Sequence, residues 1–484
     1  MGLDAEKEIE ELIGELTLEE KISMIHGDGI FRTAAVERLG IPPLKMSDGP
    51  MGVRQEMPDD SLEPVGYTDD YVTYNPSNSA LAATWNPLLA YESGKVLGEE
   101  ARGRGKDVIL APGINIKRDP LCGRNFEYMS EDPCLIENLT VPFIKGVQEN
   151  DVAACVKHFA ANGQEMDRFM VDTVVSERAL QEIYFPGFFA AVKGGVYSVM
   201  NAYNKLNGTH CSANQWLLNQ ILREEWGFDG VVISDWDSVH TTKEAAETSL
   251  DVEMGIRTDF DDYYFAKPLL EAVKEGEVSE EKIDAKVRSI LRMMYRLKMI
   301  GPGALDRKSG TYNTNGHRNA ALNTARESIV LLKNEGGILP IVKECLSMTL
   351  DDFAKDAAHA AAGSAGAGVG SSDKAEKVSE DRVNSADLCL TVPRKKRIAV
   401  IGRNAEYIHA PGGGSAEIKA LYEISPLMGL KKELGGNVEV SYAPGYYIPG
   451  TKEPNTADWE HACTERRLMG SRAGKPDTDE KKKA

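Results

Sequence analysis

Several acidic, basic and aromatic side chains directly follow short apolar segments, which is where enzymes built on parallel strands carry their functional groups. Asp235 follows the apolar residues 230–233 and precedes Trp236. A carboxylate beside an aromatic wall can attack the anomeric carbon of a sugar and form a covalent glycosyl intermediate. Asp is also a good helix N-cap, and Asp237 precedes a helical stretch. Spacing alone leaves both roles open for Asp235, and Asp237 is the better candidate for the cap.

Lys157 and His158 follow the apolar residues 153–156. Both can donate hydrogen bonds to sugar hydroxyls, and the charge of Lys157 would hold a neighbouring carboxylate ionised. A rival chemistry makes Lys157 a Schiff-base lysine in an aldolase-like barrel. The ordinary alternative is a core histidine beside a surface lysine, and the position at a strand end favours a functional role.

Arg118 and Arg124 lie in a loop, residues 111–127, that is punctuated by Pro and Gly. Gly123 allows a tight turn, so that Arg124 can present its planar fork to vicinal hydroxyls. The ordinary alternative is a salt-bridged loop with acidic partners from the same segment, namely Glu127, Glu131 and Asp132.

Two further pairs are weaker candidates. Asp48 and Arg54 flank an Asp-Gly-Pro turn, which is ordinary turn chemistry. Met200 and Tyr203 come at the end of the apolar residues 196–200. Tyr203 could donate a hydrogen bond to the nucleophile and Met200 could contact a sugar face, although core packing is the common fate of such a methionine.

The elements that must position these residues alternate along the first 300 positions. Short apolar segments predict strands, and amphipathic stretches between them predict helices, at residues 176–192, 216–226 and 279–299. This alternation predicts a parallel sheet, and its length favours a (β/α)8 TIM-like barrel over residues 1–300. In such a barrel the candidate residues above would meet at one end.

The remaining chain predicts an incomplete α/β sandwich domain. Residues 301–341 form a linker and the start of this domain, and residues 396–455 contain its resumed strand and turn. Between them, residues 342–395 are a low-complexity insertion with the composition of a disordered segment. Residues 456–484 form a charged tail without a packing pattern, which also predicts disorder.

Composition limits the partners. The formal net charge of −19 argues against a nucleic-acid partner. The 7 cysteines are scattered and form neither a zinc framework nor a dense disulfide scaffold, and no cofactor or metal is expected. No segment of about 18 apolar residues is present, and the acidic start lacks the apolar region of a signal peptide. We expect a cytoplasmic protein without a membrane partner, and the sequence is compatible with a homo-oligomer.

Together the motifs resemble glycoside hydrolase family 3. Six segments typical of that family occur in order, and the likeness is continuous over about residues 10–300. It resumes at residues 398–405 and 412–416 and again at 425–427. The six segments are Asp48-Gly-Pro-Met-Gly-Val-Arg54, Ala80-Leu-Ala-Ala-Thr-Trp-Asn86, Gly123-Arg-Asn-Phe-Glu127, Lys157-His-Phe159, Met200-Asn-Ala-Tyr-Asn204 and Ser234-Asp-Trp236.

The resemblance implies a retaining β-glucosidase that hydrolyses terminal non-reducing β-D-glucosyl residues of a small glucoside or oligosaccharide. It implies that Asp235 is the nucleophile and Trp236 an apolar wall beside it. The implied subsite for the non-reducing sugar comprises Asp48, Arg54, Arg124, Lys157, His158, Arg168, Met200 and Tyr203, with Ser415 reaching over the barrel mouth.

The family's acid/base is usually a Glu in a motif well beyond the glycine-rich turn, where the likeness fades. Glu417, Glu423 and Glu453 lie in that region, but none stands in a matching context, so the acid/base is unassigned. Relative to the family the chain is expected to be C-terminally truncated. The alternatives are therefore a catalytically impaired, sugar-binding pseudoglycosidase, a β-xylosidase, or the Schiff-base aldolase-like barrel.

Overall fold

A computed structural model describes residues 2–341, 396–408 and 413–445, together with the backbone of two short strands at 346–348 and 392–394. The chain divides into two compact units. The first contains residues up to Val330 and also residues 410–422, and the second contains residues 331–409 and 423–453. Among the described residues, no helix is long and apolar enough to cross a membrane.

A parallel sheet of five strands forms the centre of the first unit, in the spatial order Met46–Asp48, Val108–Leu110, Ala153–Phe159, Ser198–Asn201 and Val231–Ile233. Its strands are buried along their whole length, as near-continuous apolar segments predict for parallel sheets covered on both faces. Short hairpin strands lie before and between them. In chain order the strands are β1 (Gly27–Gly29), β2 (Arg32–Thr33), β3 (Met46–Asp48), β4 (Val108–Leu110), β5 (Ala153–Phe159), β6 (Asp172–Thr173), β7 (Ser198–Asn201), β8 (Lys205–Leu206), β9 (Thr209–His210) and β10 (Val231–Ile233).

Backbone hydrogen bonds close this sheet into a ring. The Ser234 N–H donates to the Val252 carbonyl at 2.8 Å, and Gly27 N–H donates to the Glu253 carbonyl at 3.0 Å. β1 then pairs antiparallel with β2, whose neighbour Phe31 accepts from Met46 N–H at 2.8 Å. The ring therefore runs through β3, β4, β5, β7, β10, residues 252–254, β1 and β2.

The predicted TIM-like barrel is thus confirmed, but its strictly alternating (β/α)8 form is not. β2 runs antiparallel to its neighbours, because the connection between β1 and β2 is far too short to hold a helix. The strand positions predicted at residues 108–111, 153–156, 196–200 and 230–233 overlap the observed β4, β5, β7 and β10.

Helices surround the ring. The predicted helix at 176–192 is divided into a short α-helix, a π-helical turn and a second α-helix that begins at Pro186, whose missing N–H interrupts the hydrogen-bond ladder. The π-helical segments are Leu180–Tyr184 and Trp216–Glu225, and the α-helices are α1 (Leu3–Glu15), α2 (Leu18–Met24), α3 (Asn78–Ala83), α4 (Pro87–Gly103), α5 (Pro133–Gln148), α6 (Glu177–Ala179), α7 (Pro186–Lys193), α8 (Lys243–Ala246), α9 (Lys267–Lys274), α10 (Glu280–Arg296) and α11 (Asn315–Glu327).

Local sequence signals fix where several helices begin. Thr17 and Glu20 form a capping box at the start of α2, in which each side chain accepts from the other residue's backbone N–H. Asn86 and Asp132 cap α4 and α5, and each is followed by a proline at the first helical position. These helices cover the outer face of the sheet, so that the strand ends remain free for side chains with other roles.

The second unit contains a parallel pair of strands joined through a helix. β13 (Lys396–Ile401) pairs in register with β14 (Val438–Ala443), and α12 (Pro426–Leu434) lies between them in the chain. Two further strands, β11 (Leu346–Met348) and β12 (Val392–Arg394), pair antiparallel within the predicted insertion. The rest of that insertion and the predicted tail at 456–484 lie outside the described residues.

Residues 413–422 belong to the barrel unit. The Val72 N–H donates to the Lys419 carbonyl at 3.0 Å, and the Lys419 ammonium contacts the fully buried Asp70 at 2.8 Å. These contacts place the turn that carries Ser415 within the same unit as the strand ends.

Candidate active site

The strand ends of the barrel bring the predicted site residues into one region. Asp48 is the last residue of β3, Lys157 and His158 lie near the end of β5, and Met200 lies in β7. Asp235 stands two residues beyond β10. Because all these strands are parallel, the residues share the carboxyl-terminal face of the sheet, which is the functional face of a barrel.

Asp235 is buried at the centre of this region. Its side chain is 9% exposed, its Oδ1 atom accepts from the Trp236 N–H at 2.8 Å, and its Oδ2 atom lies 3.5 Å from Nε2 of His158. The helix-cap alternative for Asp235 is wrong, because the next helix begins only at Lys243. Its side chain is therefore available for chemistry.

The prediction that Asp237 caps that helix is wrong as well. Asp237 adopts a left-handed backbone conformation, with φ of 62°, and its Oδ1 accepts from the Ile256 N–H at 3.2 Å. This contact ties the loop after β10 to the loop after residues 252–254. Asp237 thus shapes the segment that carries Asp235 and Trp236.

Opposing effects act on the ionisation of Asp235. Burial raises the pKa of this carboxyl above its ordinary value, because water no longer solvates the charged form. The positive charges of Arg124, Arg168 and Lys157 lower the pKa, as does a hydrogen bond with Tyr203, without cancelling the effect of burial.

His158 is held on both sides of its ring. Its Nδ1 atom lies 3.1 Å from the Tyr128 hydroxyl and 3.2 Å from Oδ1 of Asn115, which also accepts from the His158 N–H. Burial lowers the pKa of His158 well below its ordinary value, and the charges of Arg124 and Lys157 lower it further. The neutral imidazole is therefore the form that faces Asp235.

Glu127 joins two of the predicted sugar-binding cations. Arg124 donates to it through Nε at 2.7 Å and through Nη2 at 2.9 Å, and the Lys157 ammonium lies 3.3 Å from its Oε1 atom. Burial opposes the ionisation of Glu127, but the two cations outweigh it and lower its pKa to about 2. The salt-bridged alternative for Arg124 is therefore realised, and a role in sugar binding stays a prediction.

Arg168 is anchored by a second carboxylate and an aromatic ring. Its Nη1 donates to Glu165 at 2.7 Å, and its guanidinium lies 4.1 Å from the centroid of the Tyr203 ring. Phe169 packs edge-on against that ring, at 4.7 Å between centroids. Tyr203 is thus held between a cation and an aromatic neighbour, beside Asp235.

Four further predicted residues have hydrogen-bond partners in the structure, and a fifth is exposed to solvent. The buried Asp48 accepts from Arg54 at 3.0 Å, and Trp236 donates through its indole N–H to the Ile30 carbonyl at 2.8 Å. Ser415 accepts from Nη2 of Arg124 at 3.3 Å. Arg118, by contrast, is exposed.

Sequence reasoning missed several residues that hold the site together. The sequence predicts Glu127 only as a salt-bridge partner in its loop and does not single out Glu165, because an acidic residue in a loop gives no signal that distinguishes a buried anchor from a solvated surface charge. Tyr128, Asn115 and Asn162 support His158 through side-chain contacts that the sequence does not encode locally. Within the described part of the chain, no cluster of three or more His, Cys, Asp or Glu could hold a metal ion.

Known proteins resemble this chain in sequence and in structure. Residues 44–293 match the model of the glycosyl hydrolase family 3 N-terminal domain. The chain is 42% identical to β-glucosidase BoGH3A of Bacteroides ovatus, over 91% of this chain and 54% of that protein. It is also 42% identical to thermostable β-glucosidase B of Acetivibrio thermocellus, over 74% of this chain and 46% of that protein. The chain spans about half the length of the curated relatives it matches.

Solved structures give the same result. β-Glucosidase 3B of Thermotoga neapolitana, in complex with α-D-glucose, superimposes with a TM-score of 0.70 at 33% identity, covering 95% of this chain and 57% of that one. A β-glucosidase of Kluyveromyces marxianus in complex with glucose gives a TM-score of 0.71 at 32% identity, covering 92% and 46%. The chain belongs to glycoside hydrolase family 3.

Proposed function

We propose that the protein is a retaining β-glucosidase that acts on terminal non-reducing β-D-glucosyl residues through a covalent intermediate on Asp235. The observation that carries the proposal is the buried Asp235 carboxylate at a barrel strand end, with the imidazole of His158 3.5 Å away. Such a carboxylate can attack an anomeric carbon, and the surrounding donors can bind the hydroxyls of the sugar. The β-glucosidases among its relatives support glucose as that sugar.

The charged residues around the site have two roles, to favour the ionised nucleophile and to bind sugar hydroxyls. The positive charges of Arg124, Arg168 and Lys157 favour the ionised form of Asp235, which is the form that attacks. Asp48 and Arg54 together offer a hydrogen-bond acceptor and a donor for vicinal hydroxyls. The nucleophilic step thus depends on groups that the barrel unit supplies.

The second carboxylate of a retaining mechanism remains unassigned. The mechanism needs an acid/base group roughly 5–5.5 Å from the nucleophile, which protonates the leaving oxygen and later activates water. Glu417, one candidate from the sequence, contacts the side-chain amide of Gln55 at 3.3 Å, and Glu453 lies outside the described residues. An activated leaving group needs no such proton, so the nucleophilic step can be tested by itself.

The aldolase-like alternative is disfavoured by the contacts of Lys157. A Schiff base requires a neutral amine to attack a carbonyl. The Lys157 side chain is buried and its Nζ atom lies 3.3 Å from the Glu127 carboxylate, so an ion pair engages the nitrogen that a Schiff-base mechanism would need as the attacking group. The pseudoglycosidase and the β-xylosidase remain as outcomes of the experiment.

The test is incubation with a 2-deoxy-2-fluoro-β-glucoside that carries an activated leaving group, followed by mass-spectrometric mapping of the labelled peptide. We expect one adduct, on Asp235, and none in Asp235→Asn. Binding of glucose in a calorimetric titration, without an adduct from the fluoroglucoside, would identify the pseudoglycosidase, and faster labelling by the matching fluoroxyloside would identify the β-xylosidase. An adduct on any other residue would overturn the assignment.

A further inference from the structure

We infer that Glu127 is a positioning residue, which orients Arg124 and Lys157 for the sugar and balances their charge beside Asp235. This inference rests on the proposed function. Glu127 is not in the set of residues that the family resemblance assigns to the sugar, and it reaches the reaction only through its two cationic partners. Glu127 shares one carboxylate between two cations, has a fixed backbone and lies among the charges that surround Asp235.

One carboxylate serves both cations. Oε2 of Glu127 accepts from Nε of Arg124, while Oε1 accepts from Nη2 of Arg124 at 2.9 Å and lies 3.3 Å from Nζ of Lys157. The bidentate contact fixes the plane of the guanidinium, and the shared oxygen fixes the distance between the two cations. Both long side chains would otherwise sample several rotamers.

The backbone of Glu127 is itself fixed. Its carbonyl accepts from Nδ2 of Asn78 at 2.8 Å, at the start of α3. The neighbouring Ser79 hydroxyl contacts the Asn125 carbonyl at 2.9 Å and the Lys117 ammonium at 2.6 Å. The loop backbone therefore fixes the position of the Glu127 side chain, and this side chain in turn fixes Arg124 and Lys157.

The second effect is electrostatic. With Glu127 ionised, part of the positive potential of Arg124 and Lys157 is compensated before it reaches Asp235. Without that anion the potential at Asp235 would be more positive, so the ionised nucleophile would persist to lower pH. The titratable or charged groups that face Asp235 are His158, Lys157, Arg124, Arg168, Tyr203 and Cys155.

Two substitutions separate orientation from charge. Glu127→Gln removes the charge and weakens both contacts, whereas Glu127→Asp keeps the charge but shortens the reach by one methylene. Glu131→Gln is the matched control, because Glu131 lies four residues further along the same loop and is exposed. Two quantities are measured with the activated fluoroglucoside. The first is KI, the fluoroglucoside concentration at which labelling reaches half of its maximal rate. The second is the acid limb, the pH at which the labelling rate falls on the acid side.

For Glu127→Gln we expect KI to rise roughly 10- to 100-fold, as for a lost hydrogen bond to a charged group, and the acid limb to move about one pH unit lower. For Glu127→Asp we expect KI to rise while the acid limb stays at the wild-type pH. The control should match wild type in both. If Glu127→Gln fails to fold, Glu127→Asp decides the orientation claim.

Several results would contradict the inference or the proposed function. A Glu127→Gln variant with wild-type KI and acid limb would overturn the inference, and a raised KI with an unmoved limb would leave Glu127 a purely structural role. If wild type itself forms no adduct, the proposed function fails. Calorimetric titration with glucose then compares wild type with Glu127→Asp, and equal affinities would overturn the orientation claim separately.

Discussion

The Nε2 atom of His158 faces Oδ2 of Asp235 at 3.5 Å, and the Nδ1 atom on the opposite side of the imidazole contacts both the Tyr128 hydroxyl and Oδ1 of Asn115. The Tyr128 hydroxyl accepts from Nδ2 of Asn162 at 3.2 Å and lies 3.1 Å from Nδ1 of His158. Oδ1 of Asn115 can only accept and favours a proton on Nδ1, whereas a proton donated to Nδ1 by the Tyr128 hydroxyl leaves the ring proton on Nε2. In the latter tautomer the neutral histidine donates towards the nucleophile.

We expect Tyr128→Phe to slow labelling of Asp235 about 10-fold, because loss of the donor to Nδ1 permits the other tautomer, which turns a lone pair towards the carboxylate. The measurement is the second-order labelling rate at neutral pH. Tyr91→Phe is the control, since its hydroxyl bonds to Glu149 on the outer helices. Equal rates for Tyr128→Phe and wild type would exclude this role for Tyr128.

The pH dependence of labelling should report the ionisation of Asp235. Because burial raises the pKa of Asp235, the rate should fall with decreasing pH at a value above the ordinary Asp range. Arg168 lowers that pKa, so Arg168→Gln should move the acid limb upwards by on the order of one unit. Arg118→Gln is the exposed control and should leave the limb in place. A downward shift in Arg168→Gln would contradict the electrostatic assignment.

The buried carboxyl of Glu253 should make the folding stability depend on pH. Burial raises the pKa of Glu253 to about 7, although its side chain accepts the Phe265 N–H at 2.6 Å. Because the unfolded chain releases this proton near 4.5 and the folded chain near 7, stability should fall as pH rises between those values. The total loss is on the order of 3 kcal/mol.

Urea denaturation at several pH values tests this behaviour. The decline between pH 4.5 and about 7 should be absent from Glu253→Gln, which cannot release a proton, and present in the control Glu275→Gln, whose side chain is exposed. Parallel stability curves for wild type and Glu253→Gln across this window would rule out the prediction.

The helix pair α4 and α5 should tolerate no side chain at its crossing. A Cβ at Gly146 would lie 2.2 Å from the Tyr91 carbonyl oxygen, and one at Gly94 would lie 2.1 Å from that of Phe143. Gly146→Ala must therefore separate the helices, and we expect a loss of about 1–3 kcal/mol or more in the free energy of unfolding. In contrast, Gly14→Ala in α1 meets nothing within 4 Å and should gain about 0.5–1 kcal/mol. Equal free energies of unfolding for Gly146→Ala and wild type would refute the close-packing argument.

The barrel strands were predictable because parallel strands buried on both faces leave a local signature. Residues 153–156 and 230–233 are apolar without alternation, and the structure places β5 and β10 there. The antiparallel β2 was not predictable, since Arg32–Thr33 has only two residues and gains its partners from residues 44–46 after folding. Likewise Asp237 carries the residue type of a helix cap, but tertiary contact with Ile256 decides its conformation.

The residue types that follow the strands can be read from the chain: a carboxylate and an indole after β10, and a lysine and a histidine at the end of β5. Their meeting is also predictable, because parallel strands end at one face. Their partners and charge states follow from tertiary contacts alone. Arg124 meets Ser415 across 291 positions, and Glu127 becomes the shared anion of two cations once water is excluded. Such pairing depends on the distance between the charged groups and on their burial, and neither quantity leaves a pattern along the chain.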